Sequence, residues 1–294
     1  MSTLIELQQA REAGHLSAAE FQQQADRLHQ QLFALVPALI KSEVHQILID
    51  GDGLRFVMGD EAVALWCPAG MPRAAPLVAL NEGAHEADET ALINALAEGA
   101  SAILCLGAGI GYGALRLAQR EPKASVCAFE PRLARYEYLS RNVALNALGD
   151  RVRLFALALG REAGSLLLAN ADQAPMRVPT ISLDDWGQQS GVQPDFIHCA
   201  CAGRAVFEGA RATLAQHRPR VFCALRDERS ALVQLFSELG YRAWVVGEYG
   251  LREAALLHPE EPAEYGVFLH PTAHGRLMDE LTDSESACAG QADA

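Results

Sequence analysis

The chain has almost no lysine: Lys41 and Lys123 are the only two, and arginine supplies the rest of its 24 basic residues. Against these stand 37 Asp and Glu, for a formal net charge of −13. Such a chain lacks the basic face that nonspecific nucleic-acid binding or an anionic membrane demands, so neither partner is expected. No apolar run approaches the roughly 18 residues that a membrane-spanning helix needs. The opening residues, Met-Ser-Thr-Leu-Ile-Glu, show no basic region followed by an apolar stretch, so no secretory signal is read and a cytoplasmic protein is expected. Aromatics are sparse at 6%, yet half of all residues are apolar, which is enough to bury a large core. The seven cysteines form no regular framework. Cys105, Cys127, Cys199, Cys201 and Cys223 fall in apolar runs that read as buried strands, where a thiol acts as a small hydrophobe. Cys199-Ala-Cys201 has the look of a metal or redox pair. No CxxC or CxH partner accompanies it, so the buried-strand reading is preferred and no metal site is expected.

What the chain does have is the segment Ile103-Leu-Cys-Leu-Gly-Ala-Gly-Ile-Gly-Tyr112, followed by Ala128-Phe-Glu-Pro131. An apolar run opens into three alternating glycines, Gly107, Gly109 and Gly111, with Ala108 between the first two. Glycine allows the sharp turn and leaves room for a ligand where a side chain would collide. The helix that follows would aim its N-terminal amides at that ligand. Glu130 lies 19 residues beyond Gly111, at the end of the next apolar run, where a carboxylate can accept ribose hydroxyl protons. A dinucleotide site needs G-x-G-x-x-G, and Tyr112 stands where its third glycine would fall. The tighter G-x-G-x-G loop suits S-adenosyl-L-methionine, which has no pyrophosphate to seat. A nicotinamide oxidoreductase is disfavoured on the same ground.

Residues 1–42 read as a helical hairpin around Gly14, with Ser17-Ala-Ala-Glu20 as a capping box. Phe21, Ala25, Leu28, Leu32 and Leu35 form one apolar stripe, and Pro37 weakens or ends the helix. Residues 43–100 form a β preamble with a hairpin at Asp50-Gly-Asp-Gly53 and a lead-in helix from about residue 86 to 98. Residues 101–275 alternate apolar strands with helices, including one helix over 205–216. They predict an α/β, doubly wound, Rossmann-like parallel sheet covered on both faces. Residues 276–294 are expected to be a disordered acidic tail.

With these residues in place, the chain resembles the FkbM family of S-adenosylmethionine-dependent methyltransferases, a class I methyltransferase fold. The resemblance runs over about residues 45–272 and is carried by His85-Glu86, Leu106-Gly-Ala-Gly-Ile-Gly-Tyr112 and Ala128-Phe-Glu-Pro131. Arg141-Asn-Val-Ala-Leu-Asn146, Ala156-Leu-Ala-Leu-Gly160 and Thr180-Ile-Ser-Leu-Asp-Asp-Trp186 extend it. It implies a cofactor site at Cys105, Gly107, Ala108, Gly109, Gly111, Tyr112, Glu130, Pro131 and Ala158. Residues 4–32 resemble the SHOCT helical hairpin. The stripe within 4–36 either packs on the chain's own catalytic domain or joins a second copy or another protein.

Two departures from the family pattern bear on function. Its first strand usually ends in Asp, where this chain has Cys105. Its fourth strand carries two acidic groups, where Ala200 and Ala202 stand in His198-Cys-Ala-Cys-Ala-Gly-Arg-Ala205. His198 is a surrogate catalytic base or a histidine bound within a buried strand; Arg204, Glu208 and His217 are weaker candidates. Two functions follow. One is an O-methyltransferase acting on a sugar or other hydroxylated small molecule, a glycan modification. The other is a catalytically impaired fold that binds the cofactor or scaffolds partners. A DNA or RNA methyltransferase is disfavoured by charge and by the absence of an Asn/Asp-Pro-Pro-aromatic element.

Overall fold

The computed structural model describes residues 3–71, 73–82, 87–168, 175–201, 203–225, 228–247, 250–256 and 263–289. Helices α1 (Leu4–Glu12) and α2 (Ala18–Ala34) form the N-terminal hairpin. Both are closed by capping boxes, Thr3 with Glu6 and Ser17 with Glu20, each satisfying otherwise orphaned first-turn amides. The short α3 (Val36–Ile40) follows, with Pro37 in its first turn, where a missing N–H costs nothing. Three of the five residues of the expected stripe are covered. Ala25 is buried and Phe21 and Leu28 are half-buried, whereas Leu32 and Leu35 are exposed.

Strands β1 (Val44–Asp50), β2 (Gly53–Met58) and β3 (Val63–Cys67) make an antiparallel sheet in that order. Asp50 pairs with Gly53 across the turn, and Gly53 takes φ +128° there, a conformation that suits glycine. Helices α4 (Ala75–Glu82) and α5 (Ala87–Ala97) lead on, the second of them close to the helix expected from about residue 86 to 98. His85-Glu86 lie outside the described residues.

The central sheet then begins. Strands β4 (Ala102–Leu106), β5 (Ser125–Phe129) and β6 (Val152–Phe155) are joined by helices α6 (Tyr112–Arg120) and α7 (Leu133–Leu145). A small side sheet, β7 (Ala158–Gly160), β8 (Gly164–Leu168) and β9 (Met176–Ser182), precedes α8 (Leu183–Ser190). Strand β10 (Phe196–Cys199) leads through α9 (Arg204–Glu208) and α10 (Arg211–His217) to β11 (Arg220–Ala224). Helix α11 (Arg229–Glu238), β12 (Arg242–Gly247), β13 (Gly250–Glu253), β14 (Tyr265–Leu269) and α12 (Pro271–Ala289) complete the chain.

The eight-stranded sheet has the order β13-β12-β14-β11-β10-β4-β5-β6. Its strands run parallel except β14, inserted antiparallel between β11 and β12, and the edge hairpin strand β13. Leaving aside β13, this is the Rossmann-like class I methyltransferase arrangement, with a reversed last strand. The expectation of a parallel sheet is corrected at that strand: β14 returns from a hairpin-like connection and needs no crossover helix. Apolar residues on alternate sides of each strand feed two cores, one under α6 and the preamble, the other under α8 to α11.

Two further expectations change. The single helix over 205–216 is two, broken at Gly209. A Cβ at that residue would strike the carbonyl oxygen of Gly160, so close packing against the side sheet sets the break. The acidic tail is helical through Ala289, because Met278 and Leu281 are buried against the core; residues 290–294 lie outside the described residues. Among the described residues, no helix is long and apolar enough to cross a membrane.

The Arg141–Asn146 element ties preamble to sheet. Asn142, fully buried, donates from Nδ2 to the carbonyls of Trp66 (3.2 Å) and Ile110 (2.8 Å) and accepts from the Trp66 amide (2.7 Å). One helical turn on, Asn146 accepts from the Ala64 amide (3.0 Å) and donates to its carbonyl (2.7 Å). Two amides at i and i+4 thus complete the outer edge of β3 as a neighbouring strand would. Trp66 is also flanked by the guanidinium groups of Arg141 (3.8 Å) and Arg55 (5.0 Å). Asn142→Leu should strand the Trp66 amide and two buried carbonyls. A loss of roughly 2–4 kcal/mol in urea unfolding is expected; an unchanged midpoint would refute this role.

Candidate functional site

The glycine loop leaves the end of β4 under tight restraint. The amides of Gly107 and Ala108 both donate to the Phe129 carbonyl at the end of β5, each at 2.9 Å. Gly107, Gly109 and Gly111 all have positive φ, +74°, +61° and +110°. A Cβ on Gly109 would meet nothing within 4 Å, so open space faces it; one on Gly107 would press on Cys201, and one on Gly111 on Leu139.

Glu130 braces this loop. Its carboxylate accepts from the Gly109 amide through Oε2 (2.9 Å) and from the Arg132 amide through Oε1 (2.9 Å). The residue is 97% removed from solvent, and burial pushes its carboxyl above the ordinary value against the opposing pull of those two amides. Two of the about four lone-pair directions of a carboxylate are thus used, leaving acceptor capacity for hydroxyl donors.

Pro131 is half-buried beside Glu130, and Leu133, the first residue of α7, is 57% exposed. An apolar residue in the first turn, where acids are favoured, was the available clue to Leu133, and the sequence reading missed it. At the end of β6, Phe155 stacks on Phe129 (4.8 Å) and Trp186 meets both rings edge-on. Ala156 is exposed at this corner, whereas Ala158 is buried in the side sheet opposite Thr180. Ala156 therefore lies nearer the open side than Ala158.

The other end of the loop differs from expectation. Cys105 is 1% exposed within the core, and burial pushes its thiol up to about 12. It is a neutral core group and offers no charge to a ligand. The Tyr112 side chain turns toward the preamble, where its hydroxyl donates to Glu43 (2.9 Å); only its backbone stands at the loop. Burial, helped by Glu43, raises that phenol well above its usual value.

His198 sits on β10 facing α6, its ring 5.9 Å from that of Phe222. Gly113 makes this approach feasible: a Cβ there would lie 3.0 Å from the His198 Cε1. Burial, then the nearby Arg116 charge, pushes the imidazole down to about 4, so it is neutral at physiological pH. Arg116 follows Gly113 by one turn and shares its face. It is 3% exposed, donates through Nη1 to Asn94 (2.8 Å), and its Nε finds no acceptor. No carboxylate among the described residues lies within ion-pairing distance of it. Sequence reading passed over Arg116 because arginine on an amphipathic helix ordinarily faces water.

At the β10 terminus Ala200 is exposed, and Ala202 lies outside the described residues. The Cys199 Sγ contacts the Cys201 carbonyl (2.9 Å) and Sγ (3.6 Å), and the Cys201 thiol together with burial holds Cys199 well above the usual thiol range. No metal-binding group of three side chains occurs among the described residues. Glu208 is engaged by Arg161 and Arg204 at the surface. His217 lines a 520 Å³ cavity beside Asp195 and Arg220, at the end of the sheet where strands begin, away from the glycine loop. In the Thr180–Trp186 element, Ser182 caps α8. Asp184 caps α10 through the Ala212 and Thr213 amides (2.9 and 2.8 Å), and Trp186 packs in the core, so these residues organise the fold.

Strand order, glycine loop and acidic second-strand terminus together define a class I methyltransferase fold. No family model matches the chain. The methyltransferase sdnD of Sordaria araneosa is 37% identical to it over 73 residues, 25% of this chain and 28% of that protein, so the chain spans little more than a quarter of that relative. Among solved structures, the methyltransferase FkbM from Methylobacillus flagellatus KT is 17% identical with a TM-score of 0.43, over 58% of this chain and 43% of its own. The METTL16 methyltransferase domain is 12% identical with a TM-score of 0.46, over 82% and 91%. These likenesses concern the fold alone.

The His198 geometry sets a pH test. A histidine held below its unfolded value of about 6.5 contributes stability above that pH and loses it as pH falls toward about 4. Burial holds His274 near the same value, so it acts in the same window. An NMR titration should place the His198 midpoint near 4, and His198→Gln should make the stability loss between these pH values shallower. A midpoint near 6.5 would contradict the desolvated, uncharged environment of this half-buried ring.

Proposed function

We propose that the chain binds S-adenosyl-L-methionine in the glycine loop and transfers its methyl group to a hydroxyl of a sugar or other hydroxylated small molecule. The observation that carries this reading is the pairing of Gly109, open to a ligand, with the buried carboxylate of Glu130. The residues present fit the nucleoside half of the cofactor. Glu130 would take the ribose hydroxyls, while Leu133 and the Ala156 corner would flank the adenine. Pro131 would fix the chain direction between them.

At the methionine half, the amides of Gly107 and Ala108 are spent on Phe129, and Cys105 supplies no charge. Arg116, with its unpartnered Nε, is the positive group on this side of α6 and would balance a ligand carboxylate. The bound cofactor would supply an electrophilic methyl on a positive sulfur. The chain's own task is then to align an acceptor oxygen and take its proton. Neutral His198 has the protonation state to accept it, though a base pushed down to about 4 is a weak one. Slow turnover is expected.

The second reading is a cofactor-binding module without turnover. It is favoured by the exposed methyl of Ala200 where the FkbM family pattern places an acid. Proximity alone still drives an in-line displacement, so loss of a base worth about 10²–10⁴ slows rather than forbids it. Calorimetry with S-adenosylhomocysteine should give micromolar affinity, lowered at least about tenfold in Glu130→Ala, the value of a charge-assisted contact. Weak binding that is the same in both proteins rejects the cofactor site. Label transfer from methyl-labelled cofactor to candidate glycans then separates enzyme from module: wild-type transfer that His198→Gln reduces supports the first reading, and no transfer to any acceptor supports the second.

A further inference from the structure

The preamble sheet has two edges with opposite fates. The β3 edge is closed by Asn142 and Asn146, as described above. The β1 edge is open: β1 pairs only with β2, and among the described residues the one other bond to its backbone is at its first residue, where the Val44 amide donates to Ser42 Oγ (3.2 Å). Counting along the ladder from the Asp50–Gly53 pair that closes the turn, the main-chain groups of Ile47 and Ile49 point to the open side. The strand, Val44-His-Gln-Ile-Leu-Ile-Asp50, carries neither lysine nor proline, the residues that ordinarily protect such an edge. Its one irregularity, a register shift between Val44 and Gln46, sits at the far end from Ile49.

Beside this edge runs an uncovered apolar surface. Residues Leu32 to Ile40, Leu-Phe-Ala-Leu-Val-Pro-Ala-Leu-Ile, contain no polar side chain, and α3 packs along β1. Phe33 is 74% exposed, Ile40 80% and Ile49 65%; Leu32, Val36 and Leu54 are also exposed. Ile49 and Leu54 are paired across the hairpin and so lie on one face of it. Summed, these six residues expose on the order of 700 Å², near the ~800 Å² per partner of a standard interface.

We infer that this surface is a homodimer interface: two copies meet across a two-fold axis, their β1 edges pairing antiparallel and their α2–α3 apolar faces packing beside them. A second copy fits because an antiparallel strand edge is its own complement about a two-fold axis. The patch carries no charge that would select a charged partner, and a copy brings the matching apolar area. The net charge of −13 also opposes an anionic membrane as the occupant. The interface lies beyond the expected stripe: Ala25 is sealed inside the hairpin, and the open surface runs from Leu32 into β1.

Sedimentation velocity of the full chain at about 1–100 μM should show a dimer with micromolar or tighter dissociation. Ile49→Lys on the edge and Phe33→Glu on the helix lie on the surface and should leave the circular dichroism spectrum unchanged. Each should weaken the dimer at least about tenfold. A wild-type chain that stays monomeric throughout, or a dimer indifferent to both substitutions, overturns the inference. So does a monomer that co-sediments with phosphatidylcholine vesicles through Phe33 and Ile49, which would assign the face to a membrane surface.

Discussion

One carbonyl and one carboxylate organise the ligand end of the sheet. The Phe129 carbonyl holds the first two loop amides, and Glu130, the next residue, holds the third glycine-loop amide in line while anchoring the start of α7. Because β4 and β5 are adjacent parallel strands, any shift in their register would break the three bonds from Gly107, Ala108 and Gly109 together. Three glycines with positive φ make the geometry reachable, and the apolar strands beneath make it rigid. The space in front of Gly109 is a consequence of this clamp.

The same frame explains why the two halves of the proposed cofactor pocket differ. The nucleoside half rests on backbone geometry and one buried acid, all in place. The proposed methionine half would rely on side chains: a buried neutral thiol at Cys105, a guanidinium at Arg116 held by Asn94 but with no acceptor for its Nε among the described residues, and a small exposed methyl at Ala200. An unsatisfied buried Nε costs about 1–3 kcal/mol, a cost that the proposed ligand carboxylate would relieve at Arg116. His198, neutral and packed against Gly113, is the proton acceptor that the proposed transfer would use.

Much of the fold was legible because buried parallel strands are short, nearly continuous apolar runs. The runs Ile103–Leu106, Ser125–Glu130 and Val221–Leu225 read as strands to within a residue of those observed, and the Ser17 capping box read correctly. What stayed hidden depended on partners distant in sequence. The antiparallel sense of β14 is set by which strands it joins, and the break at Gly209 by the Gly160 carbonyl. Helix formation through Ala289 follows from a core that accepts Met278 and Leu281. In the site, the glycines and Glu130 were readable from spacing. The inward turn of Cys105, the diversion of Tyr112 to Glu43 and the burial of Arg116 were not, since periodicity gives a face but not what covers it. Asn142 and Asn146 were noticed as a pattern, and only the structure gives them the role of a strand edge.

The most direct measurement is a crystal structure of the full chain soaked with S-adenosylhomocysteine. The account predicts the ribose on the Glu130 carboxylate, the thioether over Gly109, the adenine beside Leu133, and the amino-acid end turned toward Arg116 with no contact to Cys105. A ligand seated elsewhere, or a ribose that leaves Glu130 bonded to the loop amides alone, would contradict it.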